Sequence, residues 1–120
     1  MVLLMEARPS SRIGQDKEGV IGMALFAVVL EFSNDTERRG EVRPAHRQYL
    51  ATLLEEGKLQ QSGPFTDDTG ALLIYDAADI AEVQEILSND PYTPAGIIVG
   101  ATIKEWNVVI SRLEDKDKRP

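Results

Sequence analysis

The chain has 120 residues, 42% hydrophobic and 28% charged, which describes one globular domain with a single core and excludes a repetitive or disordered chain. It contains no cysteine, which excludes disulfides, a thiolate nucleophile and a zinc site built on sulfur, and fits a reducing compartment. The net charge of -7 is unevenly spread: residues 1–22 are balanced, residues 111–120 carry +1, and the segment between them holds -8.

An acidic body of this kind repels phosphate backbones, so no nucleic-acid partner is expected. No apolar run approaches the roughly 18 residues of a membrane span. Met1 to Met5 is too short and lacks the basic flank of a signal peptide. The expected location is therefore cytoplasmic, with no membrane partner. Residues 1–22 read as an extension of the domain, because Ala7 to Gly19 is polar, lacks either period and contains Pro9, Ser10, Ser11 and Gly14. Met23 is a natural start for the domain itself.

Ala24 to Phe32 is nearly all apolar and rich in strand formers, so this strand is expected to be buried on both faces. Asp35 or Thr36 can cap a following helix that runs to about Glu56. Along it Val42, His46, Tyr49 and Leu53 recur at helical spacing, which turns His46 toward the core. Pro44 predicts either a kink or two shorter helices meeting near it. Gly57 ends the helix. Lys58 to Phe65 and Ala71 to Tyr75 then read as the strands of a hairpin, joined by a turn over 66–70.

A second helix follows, capped by Asp76 or Asp79, with Ile80, Val83, Ile86 and Leu87 as its apolar stripe. Asp90 continues that stripe just before Pro91, which stops the helix. The last strand is expected over Ala101 to Ile110, and the tail from Ser111 is charged. Strand, helix, strand, strand, helix, strand is the order of an α+β ferredoxin-like βαββαβ sandwich: a four-stranded antiparallel sheet with two helices on one face. The apolar residues on the sheet's other face need a cover, and a second copy of the same sheet supplies it, so a homodimer through sheet faces is expected.

Two titratable side chains break the inward stripes of two different helices. His46 is the sole histidine, and a histidine on an apolar face is often only a satisfied core residue; Asp90 before a proline is often only a turn former. Each buried polar group needs a partner, however, and each is the nearest candidate for the other. Arg39, Arg43 and Arg47 form a drifting stripe that reads first as a solvated face pairing with Glu37 and Glu41, with Arg43 placed to rim a pocket beside His46. Trp106 and Phe65 could stack on a ligand but read first as core or interface. Asp67 and Asp68 lie in an ordinary hairpin turn, and with no second histidine neither a metal nor another cofactor is expected.

Arg43-Pro44-Ala45-His46 followed by Leu50, Glu56-Gly57-Lys58-Leu59, Ser62-Gly63-Pro64-Phe65, Asp90-Pro91-Tyr92 and Trp106 together resemble the YCII-related (YciI-like) family across Met23 to Ile110. The resemblance implies a dimeric α/β barrel of ferredoxin-like subunits, similar to muconolactone isomerase. It also implies a catalytic pair, His46 and Asp90, at a small-molecule pocket edged by Gly63, Pro64 and Phe65, and an activity such as dehydrochlorination of a chlorinated hydroxylated aromatic. An aspartate holding one imidazole nitrogen leaves the other free for proton transfer, which suits isomerisation, enolisation or elimination on a cyclic or aromatic substrate. A ligand-binding or accessory module on the same fold, without turnover, is the alternative.

Overall fold

In a computed structural model, which describes residues 24–113, the six expected elements occur in the expected order. They are β1 (Ala24–Phe32), α1 (Thr36–Glu55), β2 (Leu59–Pro64), β3 (Gly70–Ala77), α2 (Ile80–Ser88) and β4 (Ile98–Trp106). The strands form one antiparallel sheet in the order β2-β3-β1-β4, the ferredoxin-like arrangement. The expected extension over 1–22, the start at Met23 and most of the charged tail lie outside the described residues.

One face of the sheet makes the core. Ala24, Phe26, Val28 and Leu30 of β1 alternate inward and sit in one cluster with Leu73 and Tyr75 of β3, Leu50 and Leu53 of α1, and Val83, Ile86 and Leu87 of α2. Both helices therefore cover the same face. β1 was expected to be buried on both sides, but within one chain its other side is only partly covered, with Val29 exposed beside its partner Leu72. Both residues belong to the uncovered face, where the pleat sends every second side chain.

Local chemistry sets the ends of the helices. The Asp35 carboxylate accepts from the Arg38 amide (3.0 Å) and starts α1. At the other end Gly57, with φ +83°, takes the left-handed conformation, while the amides of Gly57 and Lys58 donate back to Leu54 and Leu53. Of the two candidate caps for α2, Asp79 does the work: its carboxylate accepts from Glu82 N (2.9 Å), and Glu82 accepts in return from the Ala78 amide (2.8 Å). Asp76 instead belongs to β3. α1 is one continuous helix with Pro44 inside it, not two helices.

β4 is shifted from its expected span. Trp106 lies opposite Leu25 of β1, so a strand continuing to Ile110 would soon run past the end of its partner. At the other end β1 reaches Phe32 and draws Ile98 into pairing through a bulge. Val109 and Ile110 consequently lie outside the sheet and are exposed. Gly70 is required where β3 begins: an added Cβ would stand 1.9 Å from the Leu30 carbonyl oxygen of β1. No helix among the described residues is long and apolar enough to cross a membrane.

Tyr75 is the largest fully buried side chain, and its hydroxyl has no hydrogen-bond partner among the described residues. Burial pushes it well above the ordinary tyrosine value of 10.0, and the nearby Asp90 and Tyr49 add to the effect. The folded chain thus holds this proton more tightly than the unfolded chain. Stability is complete below about pH 10 and is lost as pH rises toward the raised folded value. Tyr75→Phe removes that loss. Its urea midpoint is expected to fall less than that of the wild type between about pH 9 and pH 11; equal losses in the two proteins would show that Tyr75 does not set the alkaline limit.

Candidate functional site

α1 and the segment after α2 bring His46 and Asp90 together. His46 Nδ1 lies 2.8 Å from Asp90 Oδ1 and 3.0 Å from Oδ2. The carboxylate is fully buried and also accepts from the Tyr92 amide at 2.9 Å. That second bond is local, an Asx-type turn in which a side chain caps the backbone two residues on, with Pro91 fixing the intervening φ. The same turn closes through Thr93 N to Asp90 O (2.8 Å) and Ile97 N to Tyr92 O (3.0 Å). Asp90-Pro91-Tyr92 is thus a small rigid unit that presents a carboxylate on one side and a phenol ring on the other.

The ring lies flat on the imidazole. Tyr92 and His46 are parallel within 4°, with centroids 3.8 Å apart, so the plane of His46 is fixed by stacking and its rotation within that plane by Asp90. Phe32, at the end of β1, meets Tyr92 edge-on at 5.7 Å and 84°. The Arg39 guanidinium lies 4.8 Å above the Phe32 ring and pairs with Asp68 of the β2–β3 turn. A continuous line of contacts therefore runs from Asp90 through His46, Tyr92, Phe32 and Arg39 to Asp68. Tyr49, one turn beyond His46, adds a second tie between the helices by donating from its hydroxyl to Ile86 O at 2.7 Å.

These groups edge a cavity of about 780 Å³ between α1 and the β2–β3 hairpin. Its walls are mainly apolar, with Leu30, Leu50, Leu59 and Leu73 among them, and His46 and Tyr92 at one side. Since Asp90 occupies Nδ1, Nε2 is the nitrogen of this cavity-lining residue that has no hydrogen bond among the described residues. An imidazole held in this way can take or give a proton at Nε2 while the carboxylate stabilises its charged form.

Of the residues singled out in the sequence, Arg43, Gly63 and Pro64 also line the cavity. Phe65 stands one residue beyond Pro64, is 38% exposed and is not among the lining residues. Trp106 lies at the far end of β4, also away from the cavity. The arginine stripe is only in part the solvated face it first suggests. Arg38 reaches Glu41 (3.5 Å) and Arg47 is exposed, whereas Arg39 is buried against Phe32 and Asp68 and Arg43 is partly buried; Arg43 and Arg47 both line the cavity. The reason is geometric: residues 39, 43 and 47 share the face of α1 that looks across the hairpin, and Glu37 and Glu41 do not. Sequence reasoning missed Tyr92 and Phe32. The Asp-Pro-Tyr turn was the available signal for Tyr92; Phe32, as the last apolar residue of a strand, gave none.

A model of the YCII-related domain matches residues 15–107. Protein YciI of Escherichia coli is 31% identical over 96 residues, covering 71% of this chain and 98% of its own length. The uncharacterized protein YjpA of Bacillus subtilis is 36% identical over 63 residues, covering 52% of this chain and 73% of its own. Among solved structures, the 5-chloro-2-hydroxyhydroquinone dehydrochlorinase TftG of Burkholderia phenoliruptrix, in complex with 2,5-dihydroxybenzoquinone, is 31% identical with a TM-score of 0.61, covering 69% of this chain and 93% of that one.

Because Asp90 is buried and in contact with the partly buried His46, the two are expected to be strongly coupled energetically. A double-mutant cycle with His46→Ala and Asp90→Ala, read by urea unfolding, is expected to give an interaction energy of about 1–3 kcal/mol. Losses that simply add would show that the contact contributes nothing to the fold.

Proposed function

The chain belongs to the YCII-related family, and on that premise we propose that it is a small-molecule enzyme in which His46 is the general acid/base and Asp90 its buried partner. One observation carries this reading: the only histidine in the chain has Nδ1 bound to a fully buried carboxylate and lies at the edge of a largely apolar cavity. The substrate is a cyclic or aromatic molecule, since the cavity walls offer leucine side chains and the face of the site is a stacked Tyr92.

In the proposed reaction Nε2 of His46 accepts a proton from an acidic O–H or C–H of the bound ring. The electron pair left behind moves into the ring, driving either a double-bond shift or, from a keto tautomer whose chlorine-bearing carbon has already gained a proton by such a shift, departure of chloride to leave a quinone. In the first case the imidazolium returns its proton to another atom of the substrate, and in the second it releases the proton to solvent. Asp90 supports the charged imidazole throughout, while Tyr92 and the Asp90 carboxylate hold the ring in position. Elimination of chloride has the added support of the dehydrochlorinase TftG as a structural neighbour. Arg43, Gly63 and Pro64 are proposed as substrate contacts, with Phe65 flanking them at the end of β2.

The site is proposed to work in a homodimer closed through the uncovered sheet face, where Val29, Leu72 and Trp106 stand exposed. Covering side chains of this size stabilises an association by roughly 1.5–3 kcal/mol each. Sedimentation at micromolar concentration is expected to show twice the 13.3 kDa chain mass, and a monomer alone would remove the dimer from the proposal.

Chloride release from a panel of chlorinated hydroquinones tests the chemistry. His46→Ala is expected to lower kcat by about 10²- to 10⁴-fold with the circular dichroism spectrum unchanged. A binding or accessory module without turnover predicts no chloride release by wild type or variant; a lower Tm for His46→Ala is expected under either reading, because the substitution removes the partner of the buried Asp90.

A further inference from the structure

The charge of the cavity is opposite to that of the protein. Residues 24–113 contain seven Lys and Arg against fourteen Asp and Glu, yet three of the seven cations, Arg39, Arg43 and Arg47, line this cavity together with a single carboxylate, Asp68. Arg39 and Asp68 neutralise each other. Arg43 and Arg47 have no ion-pair partner among the described residues, although acidic groups are twice as numerous as basic ones.

That arrangement carries a cost. Arg43 and Arg47 are four residues apart on α1, about 40° around the helix, and like charges at this spacing repel by a few tenths of a kcal/mol. Arg43 is partly buried and Arg47 is exposed, and both border a cavity whose other walls include leucine, so Arg43 is the less well screened of the two. Water screens the exposed Arg47 in part, but no carboxylate among the described residues pairs with either arginine. An anion in the cavity would relieve the repulsion, and two adjacent guanidinium groups suit an oxyanion that offers two oxygens. The apolar walls exclude a bare inorganic ion as the best fit, because such an ion would leave them uncovered. His46 lies on the same helix, about 60° from Arg43 and about 100° from Arg47, so a ring anchored at the arginines comes within reach of its free nitrogen.

We infer that the cavity takes an organic anion built on a ring, its oxyanion lodged against Arg43 and Arg47 and its ring lying between the leucine walls and His46. The inference rests on the proposed function in placing the reacting ring beside His46, but the charge requirement is separate from the chemistry. Arg43 and Arg47 then set both affinity and orientation, and Arg39, already paired with Asp68, holds the hairpin across the cavity without competing for the ligand.

Calorimetric titration with two matched probes tests this: 2-hydroxybenzoate, an anion, and 2-hydroxybenzamide, its neutral near-isostere. The wild-type protein is expected to bind the benzoate about tenfold or more tighter at low salt, and the difference is expected to shrink as ionic strength is raised to about 0.5 M. In the Arg43→Gln/Arg47→Gln variant the two probes are expected to bind within about twofold of each other, with the amide's affinity unchanged. Should that variant fail to fold by circular dichroism, Arg47→Gln alone and the wild-type salt series decide the matter. Equal affinity for the two probes, a preference that survives in the variant, or no saturable binding of the benzoate up to about 10 mM would each overturn the inference. His46→Ala separates it from the catalytic proposal. Charge preference retained in a protein whose turnover never depended on His46 sinks only the acid/base role; preference absent where turnover does depend on His46 sinks only the anion site.

Discussion

A fully buried carboxylate must be satisfied from within the protein, and Asp90 is satisfied from two directions. The Tyr92 amide comes from its own turn and costs nothing in long-range order. His46 Nδ1 comes from the middle of another helix, 44 residues away in sequence. That second bond is what makes the end of α2 and the face of α1 into one object. Breaking it would strand a charge in the core, so the relative placement of the two helices is held by a requirement stronger than apolar contact alone.

The need is greatest for α1. α2 is short and carries a continuous apolar stripe, with Val83, Ile86 and Leu87 buried, so packing alone seats it on the sheet. α1 is twenty residues long but buries only Arg39, Leu50 and Leu53. Its first half has almost no apolar anchor. Arg39 is held there by Phe32 and Asp68, and the central part by Asp90 and by the Tyr49 hydroxyl on Ile86. A helix seated by polar contacts at spaced points leaves side chains between those points free to face a cavity. The weakness of its apolar stripe is thus the counterpart of the site.

The same contrast explains what the sequence disclosed. The element order, the antiparallel sheet and the two covering helices were legible, because periodicity and capping residues are local signals that tertiary packing here reinforced. His46 and Asp90 were legible for a related reason: each breaks an apolar stripe, and a polar group on an inward face asks for a partner. The extent of β4 was not legible. Residues 101–110 carry suitable strand formers, but where the strand stops depends on where β1 ends, a property of the partner. Arg39 was misread for the same kind of reason, since an arginine among glutamates on a helix looks solvated until Phe32 and Asp68 arrive from distant parts of the chain.

Tyr92 joins these two kinds of information. Locally it is one residue of an Asx turn; globally its ring is the link between the His46–Asp90 pair and the Phe32–Arg39–Asp68 group. A displacement of the β2–β3 hairpin would act on Arg39 through Asp68 and on Phe32 through the Thr69 carbonyl, which accepts from the Phe32 amide at 2.9 Å, and the Tyr92 ring is one route from there to the imidazole. Close-packed rings transmit such displacements because they have little room to yield. The hairpin also supplies Gly63 and Pro64 to the cavity wall, so the segment that borders the cavity is mechanically continuous with the His46 imidazole at its side. Asp90, buried at the far end of this line, is the fixed point against which any such movement would be taken up.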